Sequence, residues 1–260
     1  MKRELQIFLT AVMFYTRIPC PKWVDHDPTY ISLSTRYFPM IGWIVGGVYA
    51  GVIIVSSFVF SPFISVLLGF VTGILLTGAF HEDGFADVCD GFGGGWTKEK
   101  ILTIMKDSRV GTYGVVGVVL IFMLKISSTV EIVDDTTSIS FALLIVSSHS
   151  LSRMMAVTII YSQPYAREDQ DSKAKPVSMG ISFSNLRIAL LFGLLPFAFF
   201  LIQTTWLFSL VLIPMVFITF YLSRYFKKWI GGYTGDCLGA TQQVDEVVFL
   251  LSILAVWKFI

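Results

Sequence analysis

The sequence has few charged residues and no excess of charge of either sign. Charged residues make up 14% of the 260 residues, and 19 Lys and Arg against 18 Asp and Glu leave a formal net charge of +1. Because a soluble domain has about 25% charged residues, this composition excludes an ordinary soluble protein. The balanced charge offers no basic surface to a nucleic acid, so we expect no nucleic-acid partner.

Cysteine is scarce as well. The three cysteines, Cys20, Cys89 and Cys237, lie far apart in the chain. Their spacing fits neither a disulfide framework nor a zinc site. We therefore interpret them as reduced thiols.

Apolar residues dominate instead. They make up 55% of the chain, and the mean hydropathy is +0.74. Seven apolar runs approach or reach the roughly 20 residues that cross a bilayer. These runs are Tyr37–Phe60, Pro62–Phe80, Thr112–Val133, Ile139–Tyr161, Leu186–Gln203, Trp206–Tyr225 and Val244–Ile260. With a short N-terminal helix before them, they predict an all-α, polytopic bundle of about seven to eight helices, forming one membrane-embedded domain over residues 1–260.

The connections between these runs alternate in character. The short connections contain no Lys or Arg, whereas the long polar ones hold most of the basic residues; the long ones are Cys20–Arg36, His81–Gly111, Ser162–Asn185 and Arg224–Gln243. Alternating spans put all four long connections on one side of the membrane. Because basic residues concentrate on the cytoplasmic side, we expect a multi-pass protein of the plasma membrane whose active site faces the cytoplasm.

An acidic stretch, His81 to Gly91, follows the second apolar run. Asp87 and Asp90 come four and seven residues after Asp83, so a helix places the three carboxylates within about 60° on one face. Such like charges repel unless a cation lies between them, and hard oxygen ligands suit Mg²⁺ or Mn²⁺. The following glycines, which include Gly93 and Gly94, allow a backbone to approach a ligand closely. Together they predict a site for a metal-bound diphosphate.

Basic residues come next in the chain. Thr97 is a candidate cap for a short helix from Lys98 to Lys106. Lys98 and Lys106 are candidates to neutralise phosphate oxygens, and Arg109 is the better bidentate partner. The lysines also fit the alternative of ordinary basic residues on the cytoplasmic side.

Charged residues also lie inside or beside two later spans. Arg153 shares a helix face with His149 and needs an acidic or phosphate partner at membrane depth, for which Asp83, Asp87, Asp90 and a bound substrate are the candidates. Asp236, in a second glycine-rich stretch, is a candidate to complete the metal site. Glu246 lies among apolar residues, and an unpaired carboxyl in such a place is a candidate general base.

These motifs closely resemble the cobalamin synthase family, whose activity is adenosylcobinamide-GDP ribazoletransferase. The resemblance rests on His81-Glu82-Asp83-Gly84-Phe85-Ala86-Asp87, Asp90-Gly91-Phe92-Gly93-Gly94, Arg109-Val110-Gly111-Thr112-Tyr113-Gly114, and Gly232-Tyr233-Thr234-Gly235-Asp236 with Leu238-Gly239-Ala240. It covers most of the chain in order and length. Tyr165-Ala166-Arg167 also matches, whereas the charged stretch Glu168–Lys175 departs from the family pattern.

The resemblance implies assembly of the nucleotide loop of vitamin B12. Adenosylcobinamide-GDP and α-ribazole, or its 5′-phosphate, would give adenosylcobalamin, or its 5′-phosphate, plus GMP, with Mg²⁺ as cofactor. By position, the family's metal-diphosphate site falls on Glu82, Asp83, Asp87 and Asp90, with Asp236 and Arg109 as partners. Asp90 or Glu246 would accept the proton of the attacking hydroxyl, and Arg109 and Arg153 would offset charge on the leaving group.

Three other functions use similar residues. A CDP-alcohol phosphotransferase performs the same displacement, but its Ala-Arg pair is absent after Asp83-Gly84. A divalent-cation transporter would place carboxylates in the middle of the membrane rather than beside glycine-rich loops. A membrane prenyltransferase would need an Asn-Asp-x-x-Asp pattern, which the sequence lacks.

Two further expectations concern the surface. Gly42, Gly46 and Gly47 offer a small-residue face through which the chain can form an oligomer. The aromatic residues Trp96, Tyr113 and Tyr233, each next to a motif, are candidates to line a vestibule for the corrinoid.

Overall fold

The computed structural model describes residues 2–24, 27–134, 136–167 and 180–260. The charged stretch Glu168–Lys175 lies outside the described residues. In those that are described, the elements are helical. They are α1 (Lys2–Tyr15), α2 (Pro28–Ser34), a 3₁₀ turn (Thr35–Tyr37), α3 (Phe38–Ser56), α4 (Pro62–Thr77), α5 (Phe80–Gly94), α6 (Lys98–Ile104), α7 (Thr112–Asp134), α8 (Ser138–Ser162), α9 (Phe183–Gln203), a second 3₁₀ turn (Trp206–Val211), α10 (Leu212–Ile230) and α11 (Gly235–Trp257).

Six helical stretches of the described chain are long and apolar enough to cross a membrane, and the bent pair α4 and α5 brings the number to as many as seven. This confirms the predicted all-α membrane bundle. α1 is the expected short N-terminal helix. The short helix after the glycine run is α6, and Thr97 caps it by accepting a hydrogen bond from the backbone N–H of Lys100 at 3.3 Å.

The second apolar run does not continue straight into the acidic stretch. Gly78 and Ala79 adopt left-handed conformations, with φ of 68° and 57°, and α5 turns by 88° from the axis of α4. Gly78 takes this conformation easily because it has no Cβ. The acidic stretch therefore forms its own helix, and the predicted helical register of Asp83, Asp87 and Asp90 is confirmed.

The second glycine-rich stretch is helical too. α11 begins at Gly235, nine residues before the predicted start at Val244. It crosses α5 where small residues face each other: a Cβ on Gly84 would lie 2.9 Å from Cα of Asp236, and one on Gly239 would lie 3.1 Å from the carbonyl oxygen of His81. Only glycine allows this approach, so the crossing fixes where the two motifs meet.

The glycines of α3 are used inside the bundle. A Cβ on Gly42 would collide with the backbone of His149, and one on Gly46 would lie 2.9 Å from Cα of Val146. These two positions pack α3 against α8 and are therefore not a free face for an oligomer. Gly47 points away, with nothing described within 4 Å of its added Cβ.

Candidate active site

Carboxylates of α5 and α11 meet at the crossing of the two helices. Asp87 is close enough to Asp83 and Asp236 for their charges to repel one another. Asp83 is exposed, whereas Asp87 and Asp236 are half-buried. Three of the predicted metal ligands therefore lie near one another, although not in a ready-made ligand set, and we call Asp83, Asp87 and Asp236 the acidic cluster.

Arg167 contacts this cluster. Its Nη2 donates a hydrogen bond to Oδ2 of Asp236 at 2.8 Å, and its side chain is 12% exposed. The loop that carries Arg167 is fixed to the start of α11, because the N–H of Ala166 donates to the carbonyl of Tyr233 at 2.8 Å and the N–H of Tyr233 donates to the carbonyl of Pro164 at 3.0 Å.

A basic groove opens beside Arg167. It has a volume of about 300 Å³ and is lined by Lys98, Glu99, Leu102, Thr103, Lys106, Ala166 and Arg167. Both lysines predicted to bind phosphate thus lie in one groove with the arginine that holds Asp236. A groove that has lysines along its wall, and an arginine that also pairs with a carboxylate, suits an anionic ligand that carries a metal ion.

Asp90 has a different setting from the other two aspartates of α5. It is buried, and its two oxygens accept hydrogen bonds from the backbone N–H groups of Gly111 at 2.6 Å and Gly114 at 2.8 Å. These N–H groups belong to the start of α7 and have no partner within that helix. Asp90 therefore caps α7 from a neighbouring helix. Its predicted roles as metal ligand and base stay predictions.

Gly93 and Gly94 lie in the last turn of α5. A Cβ on Gly93 would lie 2.6 Å from the ring of Tyr113, and one on Gly94 would lie 3.4 Å from Cδ1 of Ile104. In this structure, Gly93 makes room for the start of α7. Binding of a ligand by these two glycines stays a prediction.

Arg109 lies in the loop before α7, where its side chain is 87% exposed. It donates two hydrogen bonds to Asp107, from Nε at 3.1 Å and from Nη2 at 2.7 Å. These bonds lower the pKa of Asp107 to about 2. The pair is local and solvent-exposed, and the predicted role of Arg109 in binding phosphate stays a prediction.

Glu246 is the centre of a second group of polar residues, which are buried except for the partly exposed His149. Oε2 accepts from Nζ of Lys125 at 2.5 Å, and Oε1 lies 2.9 Å from Nδ1 of His149 and 3.2 Å from Nη1 of Arg153. Gln242 also donates to Oε1. We call Lys125, His149, Arg153, Gln242 and Glu246 the inner cluster. Arg153 therefore has an acidic partner, but it is Glu246 rather than one of the predicted candidates Asp83, Asp87 and Asp90. Glu246 is thus not the unpaired carboxyl on which its proposed role as base rested.

Gln243 joins the inner cluster to the acidic motif. Its Oε1 accepts from Nζ of Lys125 at 2.5 Å, and its Nε2 donates to Oε1 of Glu82 at 3.0 Å. Glu82 and the inner cluster line one cavity of about 40 Å³, and Oε2 of Glu82 is buried without a hydrogen-bond partner among the described residues. Counting charges, Glu82 and Glu246 offset Lys125 and Arg153.

Sequence reasoning missed Lys125, and it named Arg167 only as part of a matching stretch. A lysine in the middle of an otherwise apolar span is itself a sign of a buried partner, so Lys125 carried a usable signal. The pairing of Arg167 with Asp236 gave no signal in the sequence, because 69 residues separate them.

Of the proposed vestibule aromatics, Trp96 and Tyr113 are exposed, but Tyr233 is 1% exposed and cannot line an open surface.

The donor groups at the crossing suit Mg²⁺ in their chemistry. They are carboxylates, and hard oxygen ligands are what Mg²⁺ prefers. The described residues contain no ready-made group of three or more His, Cys, Asp or Glu side chains around an ion. The side chains would therefore have to draw together on binding, and Asp236 would have to share or leave Arg167.

The fold and the site define a class of protein: a polytopic helical membrane protein with an acidic cluster and a basic groove at one end of its bundle. The family described as cobalamin-5-phosphate synthase matches residues 7–254. Because this match covers nearly the whole chain, the chain belongs to that family, and the resemblance given by the motifs is confirmed.

Curated relatives agree over their full length. An adenosylcobinamide-GDP ribazoletransferase of Shewanella piezotolerans is 43% identical over 257 residues, which are 98% of this chain and 97% of the relative. One of Shewanella frigidimarina is 42% identical, covering 98% and 96%. One of Leptospira interrogans is 41% identical, covering 100% and 99%. No solved structure matches the chain.

Proposed function

We propose that this chain transfers the phosphocobinamide group of adenosylcobinamide-GDP to α-ribazole or its 5′-phosphate. A bond forms between the 3′-oxygen of the ribazole and the phosphorus next to cobinamide, and the bond from that phosphorus to GMP breaks. The products are adenosylcobalamin or its 5′-phosphate, GMP and the proton of the attacking hydroxyl. The family and the names of the relatives support this reaction.

The observation that carries the proposal is the crossing of α5 and α11. It places Asp83, Asp87 and Asp236 near one another, and Arg167, which pairs with Asp236, also lines the groove that contains Lys98 and Lys106. A diphosphate needs cations along its oxygens, and a displacement at phosphorus is catalysed mainly by positioning and by charge. The groove supplies cations for the phosphate oxygens, and the acidic cluster supplies carboxylates for a metal ion.

Mg²⁺ is part of the proposal. The acidic cluster would hold it, and when bound it would offset the charge of the diphosphate. Lys98 and Lys106 would bind phosphate oxygens farther along the groove. Glu82, whose unpartnered Oε2 lies in the cavity of the inner cluster, is the weaker candidate among the predicted ligands.

The proton of the ribazole hydroxyl needs a carboxylate with an accessible oxygen. The oxygens of Asp90 accept backbone hydrogen bonds, and those of Glu246 face cations. Asp83 is exposed and Asp87 is half-buried. We therefore propose Asp83 or Asp87 as the acceptor in place of the two residues that the sequence suggested.

The proposed location is the plasma membrane, with the acidic cluster on the cytoplasmic side. The charge asymmetry of the connections supports this orientation. A cysteine introduced for Lys98, at the groove, should react with a membrane-impermeant maleimide only in inside-out vesicles. Reaction in intact cells would contradict the orientation.

Reconstitution tests the reaction. Purified protein in detergent receives adenosylcobinamide-GDP with α-ribazole or its 5′-phosphate, with Mg²⁺ or with EDTA, and release of GMP is followed. We expect GMP and the corrinoid product only with Mg²⁺, and we expect Asp83→Asn to lose more than about 100-fold in turnover. The preferred acceptor names the true substrate.

An exposed glutamate gives the matched control. Glu131→Gln removes a charge on the exposed face of α7, outside both the acidic cluster and the groove, and it should retain most of the turnover. Folded protein that releases no GMP with either acceptor would refute the proposed reaction. Assays with CDP-alcohols and of Mg²⁺ uptake into proteoliposomes would then test two of the three alternatives.

A further inference from the structure

Arg167 lies between the two parts of the proposed site. Its guanidinium contacts Asp236 of the acidic cluster and also forms part of the wall of the basic groove. A residue in this position can contact a metal ligand and a phosphate without a large movement.

The guanidinium has donors to spare. A guanidinium has five N–H groups in a planar fork. Nη2 donates to Asp236, whereas Nε is buried without a hydrogen-bond partner among the described residues. Nε and one terminal nitrogen form the edge that binds two oxygens of one phosphate.

The backbone of this loop keeps Arg167 in place. The parallel bridge between Tyr165 and Tyr233 joins its loop to the segment just before Asp236. Gly232 allows the close approach, because a Cβ there would collide with the carbonyl oxygen of Pro164. The backbone position of Arg167 is therefore set before any ligand arrives, so that only its side chain has to turn, which reduces the entropy cost of binding.

We propose that Arg167 binds the diphosphate of the nucleotide donor, and that it gives up its ion pair with Asp236 to do so. In the ligand-free protein, Arg167 offsets the repulsion among Asp83, Asp87 and Asp236. When a diphosphate with its divalent cation enters, the cation takes over that role and the guanidinium turns to the phosphate oxygens. This inference rests on the proposed function, because it needs a diphosphate substrate.

The proposal makes two predictions of opposite sign for Arg167→Gln. Binding of GDP at saturating Mg²⁺ should weaken by about 10- to 100-fold, the value of a charged hydrogen-bond pair. Binding of Mn²⁺ without nucleotide should tighten, because a cation that competes for Asp236 is gone. Arg167→Lys should keep the Mn²⁺ affinity near wild type, because lysine retains the positive charge beside Asp236. Its GDP affinity should still fall below that of wild type, since lysine lacks the planar fork that binds two phosphate oxygens.

The test uses full-length protein in detergent. GDP binding is measured by calorimetry, Mn²⁺ binding by electron paramagnetic resonance, and folding by the unfolding midpoint. Arg187→Gln is the matched control: Arg187 is exposed on α9, over the ring of Phe183, and its replacement should change neither affinity.

Two results would overturn the inference while leaving the proposed function in place. One is equal GDP affinity of Arg167→Gln and wild type. The other is a parallel loss of GDP and Mn²⁺ binding with a lower unfolding midpoint, which would make Arg167 a purely structural residue. Wild-type protein that neither binds GDP nor releases GMP would instead refute the proposed function, and the inference with it.

Discussion

The buried ion pair between Lys125 and Glu246 predicts a strong coupling between two helices. Nζ of Lys125 lies 2.5 Å from Oε2 of Glu246, and the two side chains are 6% and 5% exposed. Removing one partner of a buried ion pair costs about 3–5 kcal/mol, because the other charge is left uncompensated.

The charges around the ion pair determine how much stability is lost when either Lys125 or Glu246 is replaced. In Lys125→Met, Glu246 keeps His149 and Arg153 as partners, so we expect a loss of about 3 kcal/mol in the free energy of unfolding. In Glu246→Gln, Lys125 and Arg153 face each other with Glu82 as the remaining anion. We expect a loss of about 5 kcal/mol there.

The double variant separates a specific pair from general damage. Lys125→Met with Glu246→Gln leaves Arg153 and Glu82, whose charges balance. Its loss should therefore be smaller than the sum of the two single losses by at least about 2 kcal/mol. Unfolding by SDS in mixed micelles, followed by tryptophan fluorescence, gives these free energies. Lys258→Met, a change of the same type at the exposed end of α11, should have almost no effect.

Two outcomes would refute this reasoning. If the two single losses add, the residues do not interact in the folded protein. If Lys125→Met is as stable as wild type, the positive charge of Lys125 does not stabilise the inner cluster. Turnover of folded Lys125→Met should also fall, because Lys125 orients Gln243 and through it Glu82.

Three other variants test single contacts. Gly84→Ala places a Cβ 2.9 Å from Cα of Asp236. We expect a loss of about 1–3 kcal/mol in the free energy of unfolding and a sharp loss of turnover. Gly47→Ala is the control, because its Cβ meets open space, and it should change neither stability nor turnover. Asp90→Asn keeps one of two acceptors for the start of α7, so it should lower stability by about 1–2 kcal/mol, and a turnover loss beyond about 100-fold in folded protein would instead support the base role. Arg109→Ala removes an exposed local pair and should leave the unfolding midpoint unchanged, so that any loss of GMP release reports on chemistry; a lower midpoint would show a structural role.

Local features of the fold could be predicted from the sequence. The long apolar runs mark the spans, and the spacing of Asp83, Asp87 and Asp90 gives one face of α5. Thr97 marks the start of α6 by a cap that depends on neighbouring residues alone. In each case the signal and the structure lie within a few turns of chain.

Features that depend on distant residues could not be predicted. The two backbone groups that Asp90 caps come 21 and 24 residues later in the chain. Three aspartates on one face of a helix therefore differ in environment, because Asp90 is buried and hydrogen-bonded to the start of α7. The break at Gly78 was hidden because the residues around it are apolar and continue the run. Glu246 looked unpaired, since its partner Lys125 lies 121 residues away.

Contacts of the inner cluster and of Asp90 stabilise α5, the helix that carries Asp83 and Asp87 of the acidic cluster. The repulsion within the acidic cluster is opposed by contacts elsewhere in the fold, and α5 carries two of the three carboxylates of that cluster. Glu82 on the same helix is drawn inward through Gln243 to the cations of the inner cluster, while Asp90 ties the helix to α7. The inner cluster and the cap thus anchor α5 from two sides. Asp83, which is exposed, and Asp87, which is half-buried, can then lie close together without displacing the helix that presents them.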